Sequence, residues 1–163
     1  MQPSLIKKLN RRTLIIILLS FLETGTDFFH AFIAQALTWP NVEHGLLQLA
    51  IFVLVSLGIS QRYNIPRVFF FFIAPISAVL AISNVVFIAL GFYHSVGMPT
   101  AYLKRGVSIV VDVYFVYFYF FLLREDVRAL FTTKPRSILK SIFWILIIGF
   151  WTFILLLSEL RKW

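Results

Sequence analysis

The chain has 163 residues, of which 60% are hydrophobic and only 13% charged, and its mean hydropathy is +0.90. Soluble domains run at about 45–50% apolar and about 25% charged. A soluble globular fold is therefore excluded, and an all-α integral membrane helical bundle forming a single domain over residues 1–163 is expected. Cysteine is absent, which excludes disulfides, thiolate metal sites, iron–sulfur clusters and thiol redox catalysis. Fifteen Lys and Arg against seven Asp and Glu give a net charge of +8. These cations fall almost entirely between apolar runs, which points to membrane orientation and to anionic lipid headgroups at the cytoplasmic face, and not to nucleic acid.

A hydrocarbon core of about 30 Å needs about 20 mostly apolar residues per helix. The first predicted span is Leu14–Ala36, after a basic lead carrying Lys7, Lys8, Arg11 and Arg12. Its start also fits a signal peptide, but Thr24-Gly25-Thr26 makes a poor small-residue cleavage site, so a retained anchor is expected. The second span runs from Val42 to Ser60, with Asn41 as a candidate cap. The third covers Val68–Tyr93, where Pro75 predicts a kink. The fourth covers Gly106–Leu123, and an amphipathic extension to Phe131 follows, with Leu123, Val127, Leu130 and Phe131 at helical spacing. The fifth, Ile138–Ser158, has Trp144 and Trp163 near opposite ends, as an interfacial aromatic belt predicts.

Charge decides whether the first segment crosses. Glu23 and Asp27 each cost about 2.5–3.5 kcal/mol at a helix centre, while the Leu, Ile and Phe residues around them return about 0.3–0.6 kcal/mol each. The sum lies near zero. With five crossings and the N-terminus inside, Lys7, Lys8, Arg11, Arg12, Arg62, Arg67, Arg124, Arg128, Lys134, Arg136 and Lys140 lie inside, against Lys104, Arg105, Arg161 and Lys162 outside. Without the first crossing that bias disappears. The positive-inside rule then predicts a cytoplasmic N-terminus and an extracytoplasmic C-terminus. A bacterial inner (plasma) membrane is the expected location, although the charge pattern sets orientation and does not determine the membrane type.

The candidate site is a polar stripe on the first helix. At 100° per residue, Glu23, Asp27 and His30 fall within about a 60° arc, with Ser20 beside them. Ionisable side chains inside a membrane face the bundle interior and mark functional sites by default. Carboxylates and an imidazole at these intervals suit a proton, a polar ligand or a divalent cation. They also suit hydrogen bonds to Asn84, Gln48, Ser77 or Tyr side chains that hold helices together. In the expected orientation Asp27 and His30 lie in the outer half of the bundle, with Asp112 about 10 Å into the fourth helix. Glu43, His44 and His94 are possible contributors at the outer face. Asp27, His30 and Asp112 are expected to converge there, with Lys104 or Arg105 as candidate counter-ions to Asp112.

Gly-x-Ser-x-Gly, His-Glu-x-x-His and phosphate-cradling glycine loops are absent from the sequence. The leading expectation is a non-enzymatic subunit or accessory protein that meets other membrane subunits, or a second copy of itself, through the polar first helix. The alternative is a transport or coupling protein moving a proton or cation through Glu23, Asp27, His30 and Asp112. A membrane-embedded enzyme is third.

Overall fold

A computed structural model describes residues 3–34, 37–90, 98–132 and 138–160, and these form six helices: α1 (Pro3–Ile33), α2 (Trp39–Ser60), α3 (Asn64–Ala89), α4 (Met98–Leu123), α5 (Glu125–Thr132) and α6 (Ile138–Leu160). Four of them, over Pro3–Ile33, Asn41–Ser60, Asn64–Ala89 and Pro99–Leu123, are long and apolar enough to cross a membrane. In α6 the described apolar run is Leu139–Ile154. The bundle is all-α, as the composition requires.

The helices form a ring in which α1 packs on α2 and α4, and α3 packs on α2 and α4, while α6 lies outside against α2 and α3. Ile16 of α1, Ile51 and Val55 of α2, Phe70 and Ala74 of α3, and Val111, Phe115 and Phe118 of α4 meet in a buried core. Opposite faces stay apolar and open: Leu18, Phe72, Ile82, Phe120 and Leu146 are each more than half exposed. Apolar surface facing outward on every long helix is what a lipid solvent demands. The aromatic run at 114–121 divides accordingly, with Phe115, Phe118 and Phe121 inside and Tyr117 and Phe120 outside.

Helix bounds depart from the sequence expectation at several points. α1 begins at Pro3, so Lys7, Lys8, Arg11 and Arg12 ride on the helix itself and are not a separate lead. Its 31 residues at 1.5 Å each extend about 46 Å, longer than a hydrocarbon core, which leaves its basic first turns beyond the core. α2 starts at Trp39 with Thr38 in an extended N-cap conformation and Pro in the first turn. Asn41 therefore sits inside the turn and not at the cap. α3 starts at Asn64 and runs through Pro75 uninterrupted. α4 starts at Met98, which carries Lys104 and Arg105 into a helix where a loop was expected. Residues 35, 36 and 91–97, including the expected ends of the first and third spans, lie outside the described residues.

The α2–α3 turn has a definite geometry. Arg62 adopts φ 64, its N–H donates to Ile59 O at 2.8 Å, and the N–H of Tyr63 donates to Gly58 O at 2.9 Å. This is a Schellman closure with arginine at the left-handed position glycine normally fills. Gly58 itself is required by packing: a Cβ there would overlap the Pro66 ring and come within 2.9 Å of Trp144 Cη2. Trp144 is only 6% exposed, tilts against Tyr63 at 5.7 Å and packs on Gly58, so it belongs to the α2–α6 contact. Trp163 lies outside the described residues.

The expected continuation of α4 breaks at Arg124. Beyond that bend, α5 buries Val127, Leu130 and Phe131, while Leu123 is exposed. The corner is held by Arg67, which the sequence placed in an inside loop and the structure buries in α3. Its guanidinium donates to Leu122 O at 3.3 Å and Asn64 Oδ1 at 3.2 Å, and it lies 4.8 Å over the Phe71 ring and 5.2 Å over the Phe131 ring. A cation on the last carbonyls of α4 satisfies an orphan acceptor and complements the helix dipole.

Candidate functional site

The polar stripe of α1 faces α4. Because the two helices run antiparallel, a residue further along α1 meets one earlier in α4, and the pairs form a ladder. His30 Nδ1 shares a hydrogen bond of 2.9 Å with Thr100 Oγ1. Asp27 Oδ1 lies 3.2 Å from Lys104 Nζ. Ser108 Oγ donates to Glu23 Oε1 at 3.0 Å. On α4 the partners Thr100, Lys104 and Ser108, followed by Asp112, recur every fourth residue and so form a slowly turning stripe of their own.

The ladder continues from α4 to α3. Asp112, 7% exposed, accepts a hydrogen bond from Ser77, and Arg105 donates to Asn84 Oδ1. Ser77 and Asn84 are both buried on α3. Glu23 lies within electrostatic reach of Asp112, Asp27 and Lys104, so three carboxylates and one ammonium share this part of the bundle. Ser20, level with Val111 and Asp112 by the α1–α4 register, is 1% exposed, and its Oγ meets no hydrogen-bonding partner among the described residues.

At the His30 end the seam opens into a cavity of about 430 Å³ between α1, α2 and α4. Asp27, His30, Asn41, His44, Gln48 and Lys104 supply its polar lining. The helices approach closely beside it, since a Cβ on Gly45 would come within 2.8 Å of the Phe28 ring. At the other end the seam stops against aromatic side chains. Phe115 packs edge-on to Phe52 at 5.0 Å and tilted to Phe70 at 5.6 Å, and Phe70 meets Phe118 at 5.2 Å.

The expected site residues thus fall in three groups. Glu23, Asp27, His30 and Asp112 all lie on the seam, but each has its own partner: Lys104 pairs with Asp27 where Asp112 was its expected counter-ion, and Arg105 turns to Asn84. His44 lines the cavity, whereas Glu43 is half-buried on α2 outside that lining. His94 lies outside the described residues. Thr100, Ser108 and the Arg105–Asn84 pair were missed. The period-four stripe of α4 was the available signal, and starting that helix at Gly106 hid its first half. Among the described residues no group of three His, Asp or Glu side chains is arranged to hold a metal ion. No family model, curated protein or solved structure matches this chain.

Proposed function

We propose that this protein is a membrane transport or coupling protein that admits a proton or small cation from the cavity end of the bundle to the carboxylates on α1 and α4. The observation that carries this reading is the ladder itself. A polar cavity leads along Asp27–Lys104 and Glu23–Ser108 to buried Asp112, and an aromatic layer then closes the way. Such an arrangement is a half-path in a closed state. Intramembrane ionisable residues are costly, and chains of Asp, Glu and His suit proton relays. The enclosed Ser20 hydroxyl gives the inner end of the path a further polar group for a hydrated ion.

The cations at the start of α1, the α2–α3 turn and the α4–α5 corner support a cytoplasmic position for that end, with α6 as a fifth crossing that brings the C-terminus out. The cavity then opens to the outer side. Purified protein in liposomes containing a pH-sensitive dye tests the function. An imposed potassium diffusion potential should drive proton or cation entry above that of empty liposomes. Glu23→Gln and Asp112→Asn should each abolish that flux with the protein still folded. Flux equal to empty liposomes at both polarities would overturn the proposal.

An accessory-subunit role is the second reading. Because the acidic stripe meets α4, that role would use the open apolar groove of about 540 Å³ between α3 and α6, where Val68, Phe72, Ile145 and Phe153 lie. Stoichiometric co-purification with another membrane chain, lost when this groove is altered, would favour it.

A further inference from the structure

At the opposite end from the polar cavity, α1, α4 and the α4–α5 corner enclose a second recess of about 500 Å³. Lys8, Arg11 and Arg12 of α1 and Arg124 at the corner line it, with Asp126 as the one carboxylate. Four cations against one anion leave a surplus of three positive charges in one small space. The three α1 residues share one face because they are spaced by three and four along the helix.

Two of the three guanidinium groups are fixed in place. Arg12 lies 3.9 Å over the Phe121 ring and 4.7 Å over the Tyr117 ring, and Tyr114 Oη donates to the Arg12 backbone oxygen at 3.4 Å. Stacking on aromatic faces leaves the N–H edge of an arginine available for an anion. Arg124 uses Nε and Nη2 on Asp126, at 3.1 and 2.8 Å, which fixes its plane. Lys8 and Arg11 are exposed, adjustable donors at the mouth. Holding several like charges together in the free protein is unfavourable, and an anion carrying several acceptor oxygens relieves that repulsion.

The recess also has an apolar side. Leu5, Ile15 and Phe121 line it. Beyond it, toward the middle of the long helices, α1 exposes Leu14 and Leu18 and α4 exposes Val113 and Phe120. A ligand with a phosphate at one end and hydrocarbon at the other meets both surfaces at once. We infer that this recess binds a phosphate-bearing anion, the headgroup of an anionic phospholipid whose acyl chains lie along α1 and α4. This is a defined site, distinct from general attraction of the basic end to a charged leaflet.

The test uses the intact protein in neutral detergent, titrated with short-chain phosphatidylglycerol and, separately, with short-chain phosphatidylcholine. Phosphatidylglycerol should bind saturably and phosphatidylcholine should not. Lys8→Gln with Arg11→Gln removes two exposed cations from the recess and should weaken binding about thirty-fold, with melting temperature unchanged. Lys7→Gln with Arg128→Gln removes two exposed cations of the same end outside the recess and should weaken it less than about three-fold. Arg12→Lys keeps the charge but loses the stacked plane, and should weaken binding as well. Inorganic phosphate at millimolar concentration that fails to compete assigns the site to the lipid headgroup, while full competition assigns it to free phosphate. Equal losses in the two double variants, or equal binding of the two lipids, would overturn the site.

Discussion

Lys104 Nζ and Asp27 Oδ1 stand 3.2 Å apart, an ion pair between α4 and α1 at the mouth of the polar cavity. Both side chains keep about a third of their surface exposed, at 33% and 38%. Removing one partner therefore costs less than it would in a fully buried pair, where it would strand an uncompensated charge. Asp27→Asn and Lys104→Gln should each destabilise the protein by about 1 kcal/mol, and the double variant should recover part of that loss. Thermal unfolding in detergent, run as a double-mutant cycle, measures the coupling. Strictly additive losses would mean that the two side chains stabilise α1–α4 packing independently.

That pair also explains how far the sequence could be read. The all-α membrane fold was legible because long apolar runs admit no other spanning structure here. The stripe Glu23, Asp27 and His30 was legible because helical geometry fixes its arc. The start of α4 was not. Lys104 and Arg105 are expensive inside a membrane when considered on one helix alone, so they marked a loop. Their cost is offset by Asp27 on α1 and Asn84 on α3, partners that only the assembled bundle supplies. The burial of Trp144 was hidden for the same kind of reason. An indole near a helix end suits an interface, and only Gly58 and Pro66 on other helices give it a buried seat.

Gly58 is accordingly a position where one methyl group should matter. A Cβ there meets Pro66 on α3 and Trp144 on α6. Proline is rigid and cannot move aside, so Gly58→Ala should cost about 1–3 kcal/mol through overpacking. Adding Trp144→Leu, which removes one of the two obstacles, should restore part of the α2–α6 packing and raise the unfolding midpoint above that of Gly58→Ala alone. A midpoint that falls further in the double variant would show that the indole contributes more than the overlap costs.

The α4–α5 corner supplies a pH dependence outside the membrane. Hydrogen bonds from Arg124 hold the Asp126 carboxyl below its usual range. A carboxylate with a lowered folded-state pKa stabilises the fold above its unfolded pKa, and the contribution is lost as pH falls through the folded value. The corner should therefore loosen only in acid, below the ordinary carboxylate range. Arg124→Gln should raise the Asp126 pKa toward its usual value, as followed by carboxyl carbon NMR. An unmoved titration would assign the shift to the backbone N–H of Val127, which also donates to Asp126, at 3.0 Å.

Orientation is testable directly because the chain has no cysteine to remove. Arg62→Cys and Lys134→Cys should be labelled by an impermeant thiol reagent only after the cytoplasmic face is opened. Trp39→Cys should be labelled in intact cells. The cations of the α1 start, the α2–α3 turn and the α4–α5 corner motivate this arrangement. Labelling of all three positions from one side would remove the α2 crossing.

The aromatic layer below Asp112 gives the last prediction. Phe115 stands one turn beyond Asp112 on α4, is 1% exposed, and contacts both Phe52 and Phe70. If this layer closes the polar seam, shortening Phe115 should open it. Phe115→Ala should lower stability by about 3–5 kcal/mol, through lost burial and the cavity left behind. It should also raise proton leak in liposomes. Phe115→Leu leaves a smaller void and should give a smaller leak with better-preserved folding. The decisive comparison is Phe115→Ala with Asp112→Asn. A leak that follows the seam needs the carboxylate and should fall back toward the level of empty liposomes. A leak of the same size without the carboxylate would mean that the void admits water through a loosened bundle, and the half-path would then end elsewhere.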